Sequence, residues 1–147
     1  MSDAVAFRRE RTIEKRHIDL LGHVNNTVWV HFVVELATAH CESVGMGFER
    51  TRELGGIWIV KRHEIDYLLS ALEGERVLEE TWVESLRGAR SLRRARFTRV
   101  SDGARLVEAR TEWAFVDPTG QRPRRIPRDL QAAFVITGPE TPAPPKK

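Results

Sequence analysis

Apolar and polar residues along this chain change period twice, and the changes divide it into three parts. Residues 5 to 17 set Val5, Phe7 and Ile13 among charges and predict a strand. From Asn26 to Val44 the pattern changes, with Val28, Trp29, Phe32, Val33, Leu36, Ala39 and Val44 recurring at helical spacing. Asn25 or Asn26 supplies an N-cap, and Gly45 ends the segment. The apolar stripe is wide enough to predict a helix buried on several sides.

Beyond Gly55-Gly56 the pattern is that of strands: Ile57 to Tyr67, Val77 to Leu86, Ser91 to Val100 and Arg105 to Val116. Gly88-Ala89 turns the second into the third, and Ser101-Asp102-Gly103 turns the third into the fourth. A three-residue loop with Gly103 left-handed sets the register of that hairpin. Phe97 then faces Val107, Ala95 faces Ala109 and Arg96 faces Glu108, so apolar meets apolar on one face and opposite charges meet on the other. A two-residue loop would set Phe97 against Glu108. Asp117-Pro118-Thr119-Gly120 closes the last strand, and Pro127 to Phe134 reads as a short helix.

One strand, one long helix and four antiparallel strands predict an α+β fold, in which a curved antiparallel sheet wraps a long central helix. A sheet of this kind leaves edges that dimerisation would cover. Residues 1–136 form one domain by this reading, and 137–147, rich in proline and charge, form a disordered tail.

Composition narrows the function classes. The chain has 147 residues, a net charge of +3 and a single cysteine, Cys41. A lone cysteine excludes an internal disulfide and disfavours a cysteine-based metal site. No apolar run reaches membrane-spanning length, and Met1 to Glu10 lacks the apolar stretch of a signal peptide. The expectation is a cytoplasmic protein with no metal and no cofactor. The mild positive charge suits an anionic ligand, whereas nucleic acid is not expected, because the arginines are matched by glutamates and the strands lack interleaved exposed aromatics.

Candidate chemistry concentrates in Asp19-Leu20-Leu21-Gly22-His23-Val24-Asn25-Asn26. A carboxylate, a turn glycine, a histidine and two amides stand directly ahead of the helix. Free N–H groups at its start would lie next to Asp19 and His23, a layout suited to attack on a carbonyl. Asp19 as a plain helix cap, His23 as a buried structural histidine, and Asn25 and Asn26 as turn and cap residues are the alternatives that local structure alone offers.

The Asp19-x-x-Gly22-His23-Val24-Asn25-Asn26 run, followed by Trp29 and Glu35, resembles the hotdog-fold acyl-CoA thioesterases of the 4-hydroxybenzoyl-CoA thioesterase-like group. Ile65-x-Tyr67, Gly88-x-Arg90-Ser91 and Ile126-Pro127 are secondary matches, and His-Val-Asn-Asn is also similar to acyl-carrier-protein thioesterases. The resemblance implies a single hotdog domain acting on an acyl-CoA, or on an acyl-carrier-protein thioester, as a homodimer or homotetramer. It implies Asp19 as general base or nucleophile and the N–H of Asn26 or its neighbour as the group that polarises the carbonyl. The sequence departs from the family pattern at Thr38, where many relatives have arginine, and at Leu21, where acyl-carrier-protein thioesterases have asparagine.

His23 is further expected to orient Asp19 or bind the carbonyl, Asn25 to hold water or cap the helix, and Trp29 and Trp58 to line an acyl pocket, with Phe32 more simply a core residue. His63 would approach the site from mid-strand. Arg87, Arg90 and Ser91 at the turn would bind CoA, with Arg124, Arg125 and Arg128 as a second basic group, while Arg93, Arg94, Arg96 and Arg99, set against Glu79, Glu80, Glu84, Glu108 and Glu112 of neighbouring strands, read as a cross-strand ion-pair ladder in solvent, Arg96 above all. His31 and His40 show no evident pairing, and Cys41 reads as a small core residue. Two other functions remain compatible with the same motifs. One is a hotdog-fold enoyl-CoA hydratase or dehydratase, although that signature has four residues between aspartate and histidine and this chain has three. The other is a non-catalytic acyl-CoA-binding protein.

Overall fold

The computed structural model describes residues 7–136. Five strands form one antiparallel sheet: β1 (Phe7–Thr12), β2 (Ile57–Tyr67), β3 (Arg76–Arg87), β4 (Arg90–Arg99) and β5 (Arg105–Val116), in the order β1-β3-β4-β5-β2. The long helix α1 (Asn26–Ser43) packs on one face, joined by two short helices, α2 (Phe48–Glu53) and α3 (Arg128–Ala132). The α+β architecture, with one long helix against a curved sheet, is therefore the one expected. Val5 and the proline-rich tail at 137–147 lie outside the described residues.

The β4–β5 hairpin adopts the expected register. Phe97 pairs with Val107, Ala95 with Ala109 and Arg96 with Glu108, and Gly103 is left-handed at φ 74°. The inner face of the sheet carries Val77, Ala95, Phe97, Val107 and Ala109, and α1 presses Trp29, Phe32, Val33 and Leu36 onto it. The outer face carries an arginine–glutamate ladder. Arg8 and Arg96 meet Glu80 at 2.8 and 2.7 Å, and Arg94 and Arg110 meet Glu84 at 3.1 and 3.0 Å.

Four expectations change. The first strand ends at Thr12 rather than residue 17, because Ile13 drops into the core and a 3₁₀ turn follows at Lys15–His17. There the Glu14 N–H donates to His17 Nδ1 at 2.9 Å, and buried His17 packs edge-on against Phe32. Helix α1 is buried on one side only. Thr27, His31, Glu35, Thr38 and Glu42 line its exposed side at helical spacing, with Val28, Val30, Val34 and Ala39 half-buried on the flanks. Helix α2 was not expected, since only Thr51 among its six residues is buried and so gives no periodic signal. Helix α3 stops at Ala132, and Phe134 beyond it turns into the core at 8% exposure.

Candidate active site

Asp19 lies in a tight loop closed by its own backbone. Ile18 and Val24 form an antiparallel bridge, the Asp19 N–H donates to the His23 carbonyl at 3.1 Å, and the Gly22 N–H donates to the Asp19 carbonyl at 3.0 Å. Gly22 has φ 90°, a conformation that glycine adopts without penalty. The Val24 N–H donates to the buried Ala71 carbonyl at 2.9 Å, which ties the loop to the segment after β2.

The Asp19 carboxylate is half-buried and held at both oxygens. Oδ1 accepts from the Leu21 N–H at 2.8 Å, and Oδ2 accepts from Asn25 Nδ2 at 3.1 Å. Asn25 is the N-cap of α1. Its Oδ1 accepts from the Thr27 N–H at 2.8 Å and from Thr27 Oγ1 at 2.5 Å. One amide therefore joins the carboxylate to the start of the helix.

The cap consumes part of the expected donor cluster. Thr27 N–H goes to the Asn25 side chain and Val28 N–H to the Asn25 carbonyl. The Asn26 N–H has no acceptor among the described residues and remains available to a ligand. Tyr67 Oη donates to the Asn26 carbonyl at 3.2 Å, so the end of β2 braces the helix start.

His23 is half-buried beside this arrangement, with Nδ1 3.4 Å from the Val24 carbonyl. Its imidazole makes no bond to the Asp19 carboxylate. The side-chain bond to that carboxylate comes from Asn25 instead. His63 occupies the inner face of β2 and bonds Thr111 Oγ1 at 2.9 Å through Nδ1, and burial lowers its pKa.

The remaining candidates scatter. Trp29 is 2% exposed and wedged edge-on against Phe32 and Phe97, so it is a core residue rather than a pocket wall. Trp58 and Ser91 do line a cavity of about 150 Å³, between the C-terminal half of α1, α2 and the inner face of the sheet. Arg90 is not free as expected: it bonds Glu112 across the β4–β5 pair at 2.8 Å. Arg87 is exposed and has no side-chain partner among the described residues.

Two further residues were misread from sequence. Glu79 does not belong to the solvent ladder. It is fully buried on the inner face, bonded to Arg9 at 2.7 Å and Arg11 at 2.6 Å. His40 does have a partner: Arg93 bonds its Nδ1 at 2.9 Å in the interior. Strand alternation already places Arg93 on the inner face with Ser91, Ala95 and Phe97, and that signal would have separated it from its solvent-facing neighbours.

Comparison with known proteins follows the same outline. The model of the thioesterase-like superfamily matches residues 13–134. The chain belongs to that superfamily. It is 27% identical over 145 residues to a chloroplastic acyl-(acyl-carrier-protein) hydrolase from Cuphea viscosissima, covering 92% of this chain and 34% of the relative. It therefore spans about a third of that relative's length. A 1,4-dihydroxy-2-naphthoyl-CoA thioesterase from Synechocystis superposes with TM-score 0.79 at 16% identity, over 86% of this chain and 93% of the other. An acyl-ACP thioesterase from Bacteroides thetaiotaomicron superposes with TM-score 0.81 at 20% identity, over 96% of this chain and 56% of the other. These likenesses identify the hotdog fold. Among the described residues no helix is long and apolar enough to cross a membrane.

Proposed function

We propose that this member of the thioesterase-like superfamily is a thioester hydrolase acting on acyl-CoA, with acyl-carrier-protein thioesters as a second substrate form. The carrying observation is the Asp19–Asn25 pair set beside the unpaired Asn26 N–H. Asp19 takes a proton from water as the water oxygen attacks the thioester carbon. The Asn26 N–H, with the positive end of α1 behind it, stabilises the oxyanion. The C–S bond then breaks, the thiolate leaves, and the proton on Asp19 is released to it or to solvent. A thiolate is a good leaving group, so no strong general acid is required. In the covalent alternative Asp19 attacks directly and an acyl-enzyme accumulates as a burst.

Oligomerisation fits the same reading. β2 is an edge strand of 11 residues, and Leu20, Leu21, Tyr67, Leu68, Leu69 and Leu72 form exposed apolar surface around the site. A homodimer or homotetramer in which β2 pairs with its copy would cover that edge. Arg87, with Arg124, Arg125 and Arg128, is the basic surface that would receive CoA phosphates. A cytoplasmic location belongs to this proposal.

The test is thiol release from short, long and aromatic acyl-CoAs, for the wild type and for Asp19→Asn. A fall of about 10²-fold or more in the variant, with unchanged melting, supports Asp19 as the base. Absence of release by the wild type on every CoA and carrier-protein thioester overturns the hydrolase reading.

A further inference from the structure

The cavity beneath α2 is apolar in most of its lining and contains one ionic group. Ala37, Met46, Phe48, Trp58, Leu86 and Phe134 supply apolar wall. Arg93 supplies a guanidinium that is 6% exposed. Among the described residues its contacts are all with neutral groups: His40 Nδ1 at 2.9 Å, Thr81 Oγ1 at 3.1 Å, Cys41 Sγ at 3.9 Å, and the Phe134 ring, 5.8 Å away. Among the described residues no carboxylate approaches it, and no aspartate or glutamate lines the cavity. Every other buried ionic side chain in the described residues is paired: Glu79 with Arg9 and Arg11, Glu80 with Arg8 and Arg96, Glu84 with Arg94 and Arg110.

A buried cation with only neutral partners is costly unless an anion completes it. His40 cannot supply charge, since its Nδ1 must stay unprotonated to accept from Arg93. Trp113 adds a second donor. It lines the same cavity, and its Nε1–H is buried with no acceptor. The hydroxyl of Ser91, 4% exposed, lies on the same wall. A cation without an anion and an indole N–H without an acceptor, in an otherwise apolar cavity, describe the complement of a carboxylate on a small hydrocarbon body. A cavity of about 150 Å³ is the size that holds a benzene-like group.

We infer that this cavity binds the far end of an acyl group that terminates in a carboxylate, with Arg93 as its counter-ion and Trp113 and Ser91 as further donors. This rests on the thioesterase reading and narrows its substrate to half-thioesters of dicarboxylic acids. The cavity starts at Ala37, eleven positions along α1 from Asn26 and so about 16 Å away. In a dimer paired antiparallel through β2, the Trp58 end of one strand lies beside the Tyr67 end of its partner's. The cavity of one protomer is then carried toward the Asp19 of the other.

The experiment compares thiol release from adipyl-CoA, its ω-methyl ester and hexanoyl-CoA. The wild type is expected to favour adipyl-CoA over the methyl ester by about 10- to 100-fold in kcat/KM, the range of a charge-assisted bond. Arg93→Met should abolish that preference, bringing kcat/KM for adipyl-CoA down to that for the methyl ester, and Arg93→Lys should keep part of it. Because removing Arg93 also frees His40 and Thr81, a second measurement uses the wild type alone: titration with free adipate and with dimethyl adipate, followed by tryptophan fluorescence. Saturable binding of adipate and not of the diester supports the site even if no thioester is hydrolysed, a result that would sink only the hydrolase reading. Equal turnover of charged and neutral tails, or no binding of adipate, overturns the carboxylate site and leaves the hydrolase reading standing.

Discussion

Asn25 bonds Asp19 and the helix at once: Nδ2 donates to Asp19 Oδ2 at 3.1 Å, and Oδ1 accepts from the Thr27 N–H at 2.8 Å. The two roles separate by substitution. Asn25→Ala loses both, costing about 1 kcal/mol for the cap and reducing kcat. Asn25→Asp keeps the cap but sets a second carboxylate against Asp19. Melting of Asn25→Asp is expected near wild type with kcat down about tenfold or more. Wild-type kcat in Asn25→Asp would show that the amide does not position Asp19.

Glu79 is fully buried and accepts from both Arg9 and Arg11, and Arg11 also bonds Glu35 and lies 3.8 Å over the Phe32 ring. The cluster ties β1 to β3 and α1. Glu79→Ala takes the buried anion from two partly exposed guanidinium groups, of which Arg11 keeps Glu35, and the expected loss is about 1–3 kcal/mol. Urea denaturation measures it. A change below about 1 kcal/mol would mean that both arginines swing out to water.

Gly56, at the entry to β2, has no room for a side chain. A Cβ there would meet the Phe115 ring at 2.5 Å and the Val116 carbonyl at 2.9 Å. Gly56→Ala is expected to cost about 1–3 kcal/mol through displacement of Phe115. The adjacent cavity wall at Trp58, in ring contact with Phe115 at 5.1 Å, should move with it. Melting and tryptophan fluorescence should change together, and an unchanged melting temperature would refute the close packing.

His40 sets part of the pH dependence of stability. Burial, with Arg93 beside it, lowers its pKa from 6.5 to about 4. The unfolded state therefore binds a proton on His40 between those two values and the folded state does not, so stability falls as pH drops from about 6.5 to about 4. His17 and His63 are also lowered, burial first among the causes, and add slope of the same sign. His40→Asn retains an acceptor for Arg93 and does not titrate. Its melting temperature should decline less steeply over that window, and a slope equal to the wild type's would exclude His40 as a contributor.

The sequence by itself determined the elements whose physics is local or strictly periodic. The span of α1 follows from its repeat and from Asn25. The register of β4 on β5 follows from side-chain alternation and a left-handed Gly103. The motif around Asp19 was readable because loop, cap and helix start are contiguous. Tertiary structure decided whatever depends on which residues meet across the fold. Asn25 rather than His23 bonds the Asp19 carboxylate, a contact set by how the loop folds back on the helix start. Trp29 fills the core while Trp58 walls a cavity. Glu79 and Arg93 leave the solvent ladder because alternation turns them inward, and only the three-dimensional packing reveals that Glu79 finds two arginines of β1 there and Arg93 finds no anion among the described residues. Period distinguishes inside from outside, but the partner inside is fixed by long-range packing that one-dimensional spacing does not contain.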